Sequence, residues 1–161
     1  MKHLEITEIL NKLNIQYSMI EHPPAKTIEE IDNFHLPHSE MIVKNLFLRD
    51  DKKKNYYLVV IRKDKTVNLK KMRSLLGSRP LSFASENDLR IYLGLEKGAV
   101  TPLGILNDTN HKVCLVLDHD ITQFPIIGVH PNKNTATLWL SPSDLQALIE
   151  KWGNHVISIK I

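Results

Sequence analysis

Two apolar runs set close together constrain this chain more than any other feature. Met41–Arg49 and Asn55–Arg62 each read as a strand, and Asp50-Asp51-Lys52-Lys53-Lys54 is all that separates them. So short and charged a connection makes a hairpin, so the fold must contain a sheet with this pair in it. Within the first run, strict alternation sends Ile42, Lys44, Leu46 and Leu48 to one face and Val43, Asn45 and Phe47 to the other. Lys44 and Asn45 therefore each share a face with apolar neighbours. A lysine so placed must snorkel, pair with an acid or meet an anionic ligand.

Other elements surround the hairpin. Leu4, Ile6, Ile9, Leu10 and Leu13 recur at helical spacing, and Tyr17–His22 alternates until Pro23-Pro24 breaks it. Thr27 with Glu30 is a capping box for a helix over Ile28–Phe34. Leu69–Leu76 stops at Gly77, and a helix opened by Ser85 and Asp88 stops at Gly94. Val113–Leu117, Ile126–Val129, Thr135–Leu140 and Val156–Ile159 read as strands, and Ser141-Pro142 opens a helix that ends near Trp152 at Gly153. Helices and strands are mixed along the chain with two hairpin-like pairs. The expectation is one α/β domain over residues 1–161, a mixed sheet flanked by helices.

Several classes are excluded. At 161 residues the chain suits one ordinary domain. Its longest apolar runs, Leu58–Ile61 and Val113–Leu117, fall far short of the roughly 20 residues that span a bilayer. Met1-Lys2-His3-Leu4-Glu5 reaches an acid too early for a secretory signal, so a soluble, cytoplasmic protein is expected. Cys114, the one cysteine, lies inside an apolar run and reads as a small buried hydrophobe. Phosphate-loop, dinucleotide-loop and His-Glu-x-x-His patterns are missing. His35-x-x-His38 has a proline between its members and no third ligand nearby, and Asp118-His119-Asp120 reads as a strand end and turn, so no metal site is expected.

Charge is segregated. Lys44 to Arg79 holds twelve basic side chains against three acids, a local +9 in a chain of net charge +3, which leaves −6 for the rest. Such a segment is either a solvated surface or a face for a polyanion. Two further stretches carry candidate chemistry. Gly98-Ala99-Val100-Thr101-Pro102 is either a tight turn or a loop whose amides hold an oxyanion or a water. Gly128-Val129-His130-Pro131-Asn132 ends a strand in a kink that presents an imidazole, packed, solvated or functional.

Taken in order, these stretches resemble the free-standing prolyl-tRNA editing domains of the YbaK/ProX superfamily, and most closely the alanyl-tRNA(Pro) deacylase branch. The resemblance runs through Lys44–Asp50, Asn55–Val59, Leu81–Ala84, Gly98–Gly104 with Asn107-Asp108, and Gly128–Asn132 with Asn134–Thr137. Ala99 and Leu103 stand where many relatives have Ser and Phe. The resemblance implies a curved mixed sheet and hydrolysis of the ester joining a wrong amino acid to a prolyl tRNA, with no cofactor. Lys44 would anchor a phosphate near the terminal adenosine, and Asn45 would hold the substrate near the ester. Gly98, Ala99, Val100, Thr101 and Pro102 would position the scissile carbonyl or water, and Gly128, Val129, His130 and Pro131 would line the amino-acid pocket. Met41, Ile42 and Leu103 are candidate walls by adjacency. Lys52, Lys53, Lys54, Lys70, Lys71 and Arg73 would meet the acceptor stem. The implied partners are mischarged tRNA(Pro) and prolyl-tRNA synthetase. Editing of a cysteinyl or seryl ester, and a non-catalytic tRNA-binding module, are the alternatives.

Overall fold

The computed structural model describes residues 3–161, with side chains from Glu5 onward; Met1 and Lys2, and the side chain of Leu4 in the expected first helix, lie outside the described residues. In chain order the elements are α1 (His3–Lys12), β1 (Ser18–Glu21), α2 (Ile28–Asp32), β2 (Val43–Asp50), β3 (Tyr56–Arg62), α3 (Leu69–Leu76), β4 (Leu81–Phe83) and α4 (Glu86–Asp88). Then come β5 (Val113–Asp118), α5 (His119–Thr122), β6 (Ile127–Val129), β7 (Ala136–Leu140), α6 (Pro142–Trp152) and β8 (Val156–Ile159).

The expected hairpin forms: β2 and β3 pair antiparallel from Val43–Arg62 to Arg49–Tyr56 with no slip in register. Together they form the inner part of a five-stranded sheet ordered β4-β2-β3-β5-β8. β5 runs parallel to β3 and β8 parallel to β5, so the sheet is mixed, as the sequence implies. The other strands form a separate antiparallel sheet, β1-β7-β6, where one sheet was expected. A lone parallel bridge between Ile42 and Gly128 joins the two sheets.

Alternation decides the layers. Val43 and Phe47 of β2, with Tyr56, Leu58 and Val60 of β3 and Leu115 and Leu117 of β5, face the main core. The second sheet (Ile127, Val129, Leu138, Leu140), α1 (Ile6, Leu10) and α6 (Leu145, Leu148, Ile149) close that core. Leu48, Val59, Ile61 and Val116 face the other way, under Met72 of α3, with Leu46 and Leu81 beside them. Strands β3 and β5 are covered on both faces, which explains their nearly unbroken apolar sequence.

Three elements depart from the sequence reading. β4 is a strand of three residues, too short to show a period. Pro102, expected to end the Gly98–Pro102 loop, instead opens a 3-10 helix, Pro102–Asn107, capped by Thr101, whose hydroxyl accepts from the Leu103 amide at 3.3 Å. Asp118-His119-Asp120 opens a short helix, since the Asp118 carboxylate caps α5 through the Asp120 amide.

Candidate active site

A cleft of about 350 Å³ opens where β2 loses its neighbour. β4 pairs with β2 along Leu48–Asp50, so the outer edge of β2 from Ile42 to Asn45 is left for the cleft. Ile42, Val43, Lys44 and Asn45 form one wall, Gly98 and Val100 a second, and Gly128, Val129 and His130 a third. All three candidate stretches therefore meet at one place.

Asn45 is the most informative side chain. Its Nδ2 donates to the Val100 carbonyl at 3.3 Å, which ties β2 to the loop opposite. Its Oδ1 is buried with no hydrogen-bond partner. A buried acceptor left unsatisfied costs about 1–3 kcal/mol, and such groups are rare in native proteins. Here the orphan belongs to a residue that lines the cleft, where it can accept an N–H or O–H from a ligand. Lys44, its neighbour on the opposite strand face, has no acid partner among the described residues.

The loop from Gly98 to Pro102 is fixed by its neighbours. Gly98 has φ +87°, and a Cβ there would stand 3.0 Å from the Lys26 side chain. The Ala99 amide donates to the Glu96 carbonyl at 3.1 Å, whereas the Gly98 and Val100 amides bond no acceptor among the described residues. Those two N–H groups are therefore the ones free to meet an oxyanion. Thr101 is fully buried, and its hydroxyl donates to the His130 carbonyl at 2.6 Å.

His130 is held from both ends. Its Nδ1 lies 3.1 Å from the Ala136 carbonyl, so Nδ1 carries the proton and Nε2 keeps a lone pair. Burial holds its pKa below the usual histidine value; the Ala136 bond opposes this and the neighbouring His22, 6.5 Å away between ring centres, reinforces it. Gly128 packs so tightly on the sheet junction that a Cβ would stand 2.8 Å from Ile42 Cγ1 and 3.3 Å from its Cα.

These contacts describe a preorganised pocket with a free cation, a free acceptor and two free amides. Residues 22–148 match the family model described as an aminoacyl-tRNA editing domain. The chain belongs to that family. It is 45% identical over 152 residues to the prolyl-tRNA editing protein ProX of Acetoanaerobium sticklandii, covering 94% of this chain and 93% of that one. It is 39% identical to the prolyl-tRNA synthetase associated domain-containing protein 1 of Danio rerio, covering 91% and 80% of the two chains. The crystal structure of a candidate trans-editing enzyme for prolyl tRNA synthetase superposes with a TM-score of 0.73 at 23% identity, over 99% of this chain and 96% of that one, and so shares the fold.

Not every site residue expected from the sequence reaches the cleft of this editing domain. Ala99, Thr101, Pro102, Leu103 and Pro131 are buried behind it, and Met41 lies in the 3-10 turn Ser39–Met41 before β2. They support the walls without lining them. Conversely, Lys26, Thr27, Ile28, Ile31, Lys97 and Thr137 line the cleft and were not anticipated. Thr137 sits buried with its hydroxyl 2.9 Å from His22 Nε2; on alternation it shares a face with Trp139, opposite Leu138 and Leu140, where a threonine is ordinary and gives no signal.

The basic segment divides cleanly. Arg49, Arg62, Lys63, Lys65 and Arg79 are ion-paired with Asp88, Asp64, Asp32, Asp118 and Asp51. Lys44, Lys52, Lys53, Lys54, Lys70, Lys71 and Arg73 have no such acid among the described residues. Lys52–Lys54 occupy the far turn of the hairpin, roughly 25 Å of strand away from Lys44.

The other chemistry-bearing groups lie elsewhere. His35 and His38 are both exposed and both take positive φ, near 50°. No three metal-ligating side chains gather among the described residues. Burial pushes the Cys114 thiol up to about 11, which keeps it protonated and unreactive at neutral pH. No described helix is long and apolar enough to cross a membrane.

Proposed function

We propose that this protein is a trans-editing deacylase that hydrolyses the ester of mischarged tRNA(Pro), with alanyl-tRNA(Pro) as its substrate. The observation that carries the reading is the unsatisfied Asn45 Oδ1 in a cleft that also presents the unpaired Lys44 ammonium. An aminoacyl nucleotide end offers the matching groups, an N–H or O–H for Asn45 and a phosphate for Lys44. The relatives named for prolyl-tRNA editing support the choice of tRNA.

The ester is already activated, so the protein has only to position it beside a water. Water oxygen bonds to the acyl carbon, the carbonyl oxygen takes up negative charge, and the amides of Gly98 and Val100 stabilise it. Collapse breaks the bond to the ribose 3′ oxygen, which takes up the proton that the attacking water gives up. The substrate's own 2′-hydroxyl relays that proton, so no protein nucleophile is used. His130 and Gly128 bound the side-chain pocket, which admits alanine and excludes the proline ring. A second sieve of this kind is needed because one methylene separates amino acids by only about 1–3 kcal/mol. Lys52–Lys54, Lys70, Lys71 and Arg73 supply the unpaired charge that draws in the acceptor stem.

Incubation with alanyl-tRNA(Pro) and prolyl-tRNA(Pro) side by side tests this. Rapid release of alanine with the prolyl ester intact is expected, and Lys44→Ala should lower kcat/KM at least about 100-fold while the protein stays folded. Faster release of cysteine or serine would replace alanine as the substrate. Salt-sensitive tRNA binding without hydrolysis would make the protein a binding module.

A further inference from the structure

Phe83 is 57% exposed although it is the last residue of a strand. Its backbone is fixed: Phe83 pairs with Leu48, and the next amide, Ala84, donates to the Phe47 carbonyl at 2.9 Å. Leu81, on the same face two residues earlier, packs under α3 with Leu48 and Met72. A lone exposed apolar residue is ordinary by itself. What distinguishes Phe83 is its position.

Leu48, Leu46 and Lys44 step along one face of β2, and Phe83 stands on that face beside Leu48. Four residues at about 3.4 Å each put the ring roughly 14 Å along the strand from Lys44. β4 and the cleft share the same edge of β2, one after the other. Three residues past Phe83, Glu86 lies 3.8 Å from Lys97, which lines the cleft. On the other side, α3 packs beside β4 and carries the unpaired Lys70, Lys71 and Arg73.

We propose that Phe83 is a stacking platform for a base of the single-stranded 3′ end of the nucleic acid, on the 5′ side of the terminal adenosine held in the cleft. The proposal rests on the deacylase reading. A rigid aromatic face among unpaired cations is how proteins hold single strands without reading sequence. The separation from Lys44 is a distance that a short run of nucleotides bridges. A protein partner is the poorer fit, because the large exposed apolar side chains among the described residues are Leu75, Phe83 and Ile91, too little apolar surface for a stable protein interface.

The test compares wild type, Phe83→Ala, Phe83→Tyr and the control Ile91→Ala on two substrates, alanyl-tRNA(Pro) and the alanyl ester of adenosine alone. Phe83→Ala should raise KM for the tRNA about 5- to 30-fold with kcat within about twofold, and Phe83→Tyr should restore it. The loss should be confined to the substrate that carries nucleotides beyond the terminal adenosine, and Ile91→Ala should match wild type. Fluorescence anisotropy with a labelled oligonucleotide ending in CCA provides a second readout, with the same loss and rescue. Equal losses on both substrates, an unchanged KM, or loss of binding to prolyl-tRNA synthetase with tRNA kinetics intact would each overturn the proposal. If wild type deacylates neither substrate, the deacylase reading fails, while the oligonucleotide comparison still decides the role of Phe83.

Discussion

The Thr101 hydroxyl donates to the His130 carbonyl at 2.6 Å, joining the two loops that face each other across the cleft. Both residues were singled out in the sequence, but their bond shows that the loops are one unit. Thr101 does not line the cleft; it positions residues that do. Thr101→Val keeps the shape, removes the donor and leaves a carbonyl unpaired, which costs about 1–3 kcal/mol. Thermal unfolding should show Tm lower by about 2–10 °C. Deacylation should fall as well, and Thr101→Ser should recover both.

Asn45 should separate stability from activity. Asn45→Ala removes one weak hydrogen bond and, with it, an unsatisfied buried acceptor, two effects of similar size and opposite sign. Tm should stay within about 3 °C of wild type while kcat/KM for alanyl-tRNA(Pro) falls about 10- to 100-fold. A large drop in Tm with activity retained would make Asn45 a structural tie and nothing more.

His130 predicts a pH effect whose sign follows from its lowered pKa. The unfolded chain takes up a proton on this residue near the ordinary value of 6.5, but the folded protein does so only at lower pH. Its contribution to stability is therefore complete above about pH 6.5 and is lost as pH falls below it toward the folded pKa. Urea unfolding of wild type and His130→Gln between pH 5 and 8 isolates the effect. The wild type should lose more stability than the variant on acidification, and parallel curves would contradict the prediction.

Gly128 should tolerate no side chain. A Cβ would meet Ile42 Cγ1 at 2.8 Å and Trp139 Nε1 at 3.0 Å, and neither is a free chain end. Gly128→Ala is expected to destabilise by about 1–3 kcal/mol, measured by denaturant titration, and to reduce kcat/KM for the alanyl substrate. Unchanged discrimination between alanyl and prolyl esters would show that this junction does not set the pocket width.

Much of the fold was legible because its signals are local. The β2–β3 hairpin, the glycine stop of α3 and the Ser141-Pro142 start of α6 each need only a few neighbouring residues. The split into two sheets was not, since β1 pairs with β7 across more than a hundred residues and no local pattern announces that. The helix at Pro102–Asn107 had a readable signal, a capping threonine before a first-turn proline, which reading the stretch as a loop obscured. In the site, adjacency in sequence was an uneven guide: Ile42 lines the cleft but Met41 and Leu103 do not, Lys97 beside Gly98 was missed, and Lys26 arrives from a distant segment that only the topology brings in. Alternation correctly marked Lys44 and Asn45 as out of place, though it could not show that an edge of the sheet ends beside them.

Besides the core they share, the two sheets meet among the described residues through one backbone stitch, Ile42 to Gly128, at the cleft. The opening is therefore a gap between two separately hydrogen-bonded bodies, and its gauge is set at the stitch more than by the side chains that decorate it. Changing the size of residue accepted is then a matter of shimming that joint, and variants selected for a new acyl group should carry substitutions around Ile42, Gly128 and Trp139 before they touch the residues that hold the nucleotide.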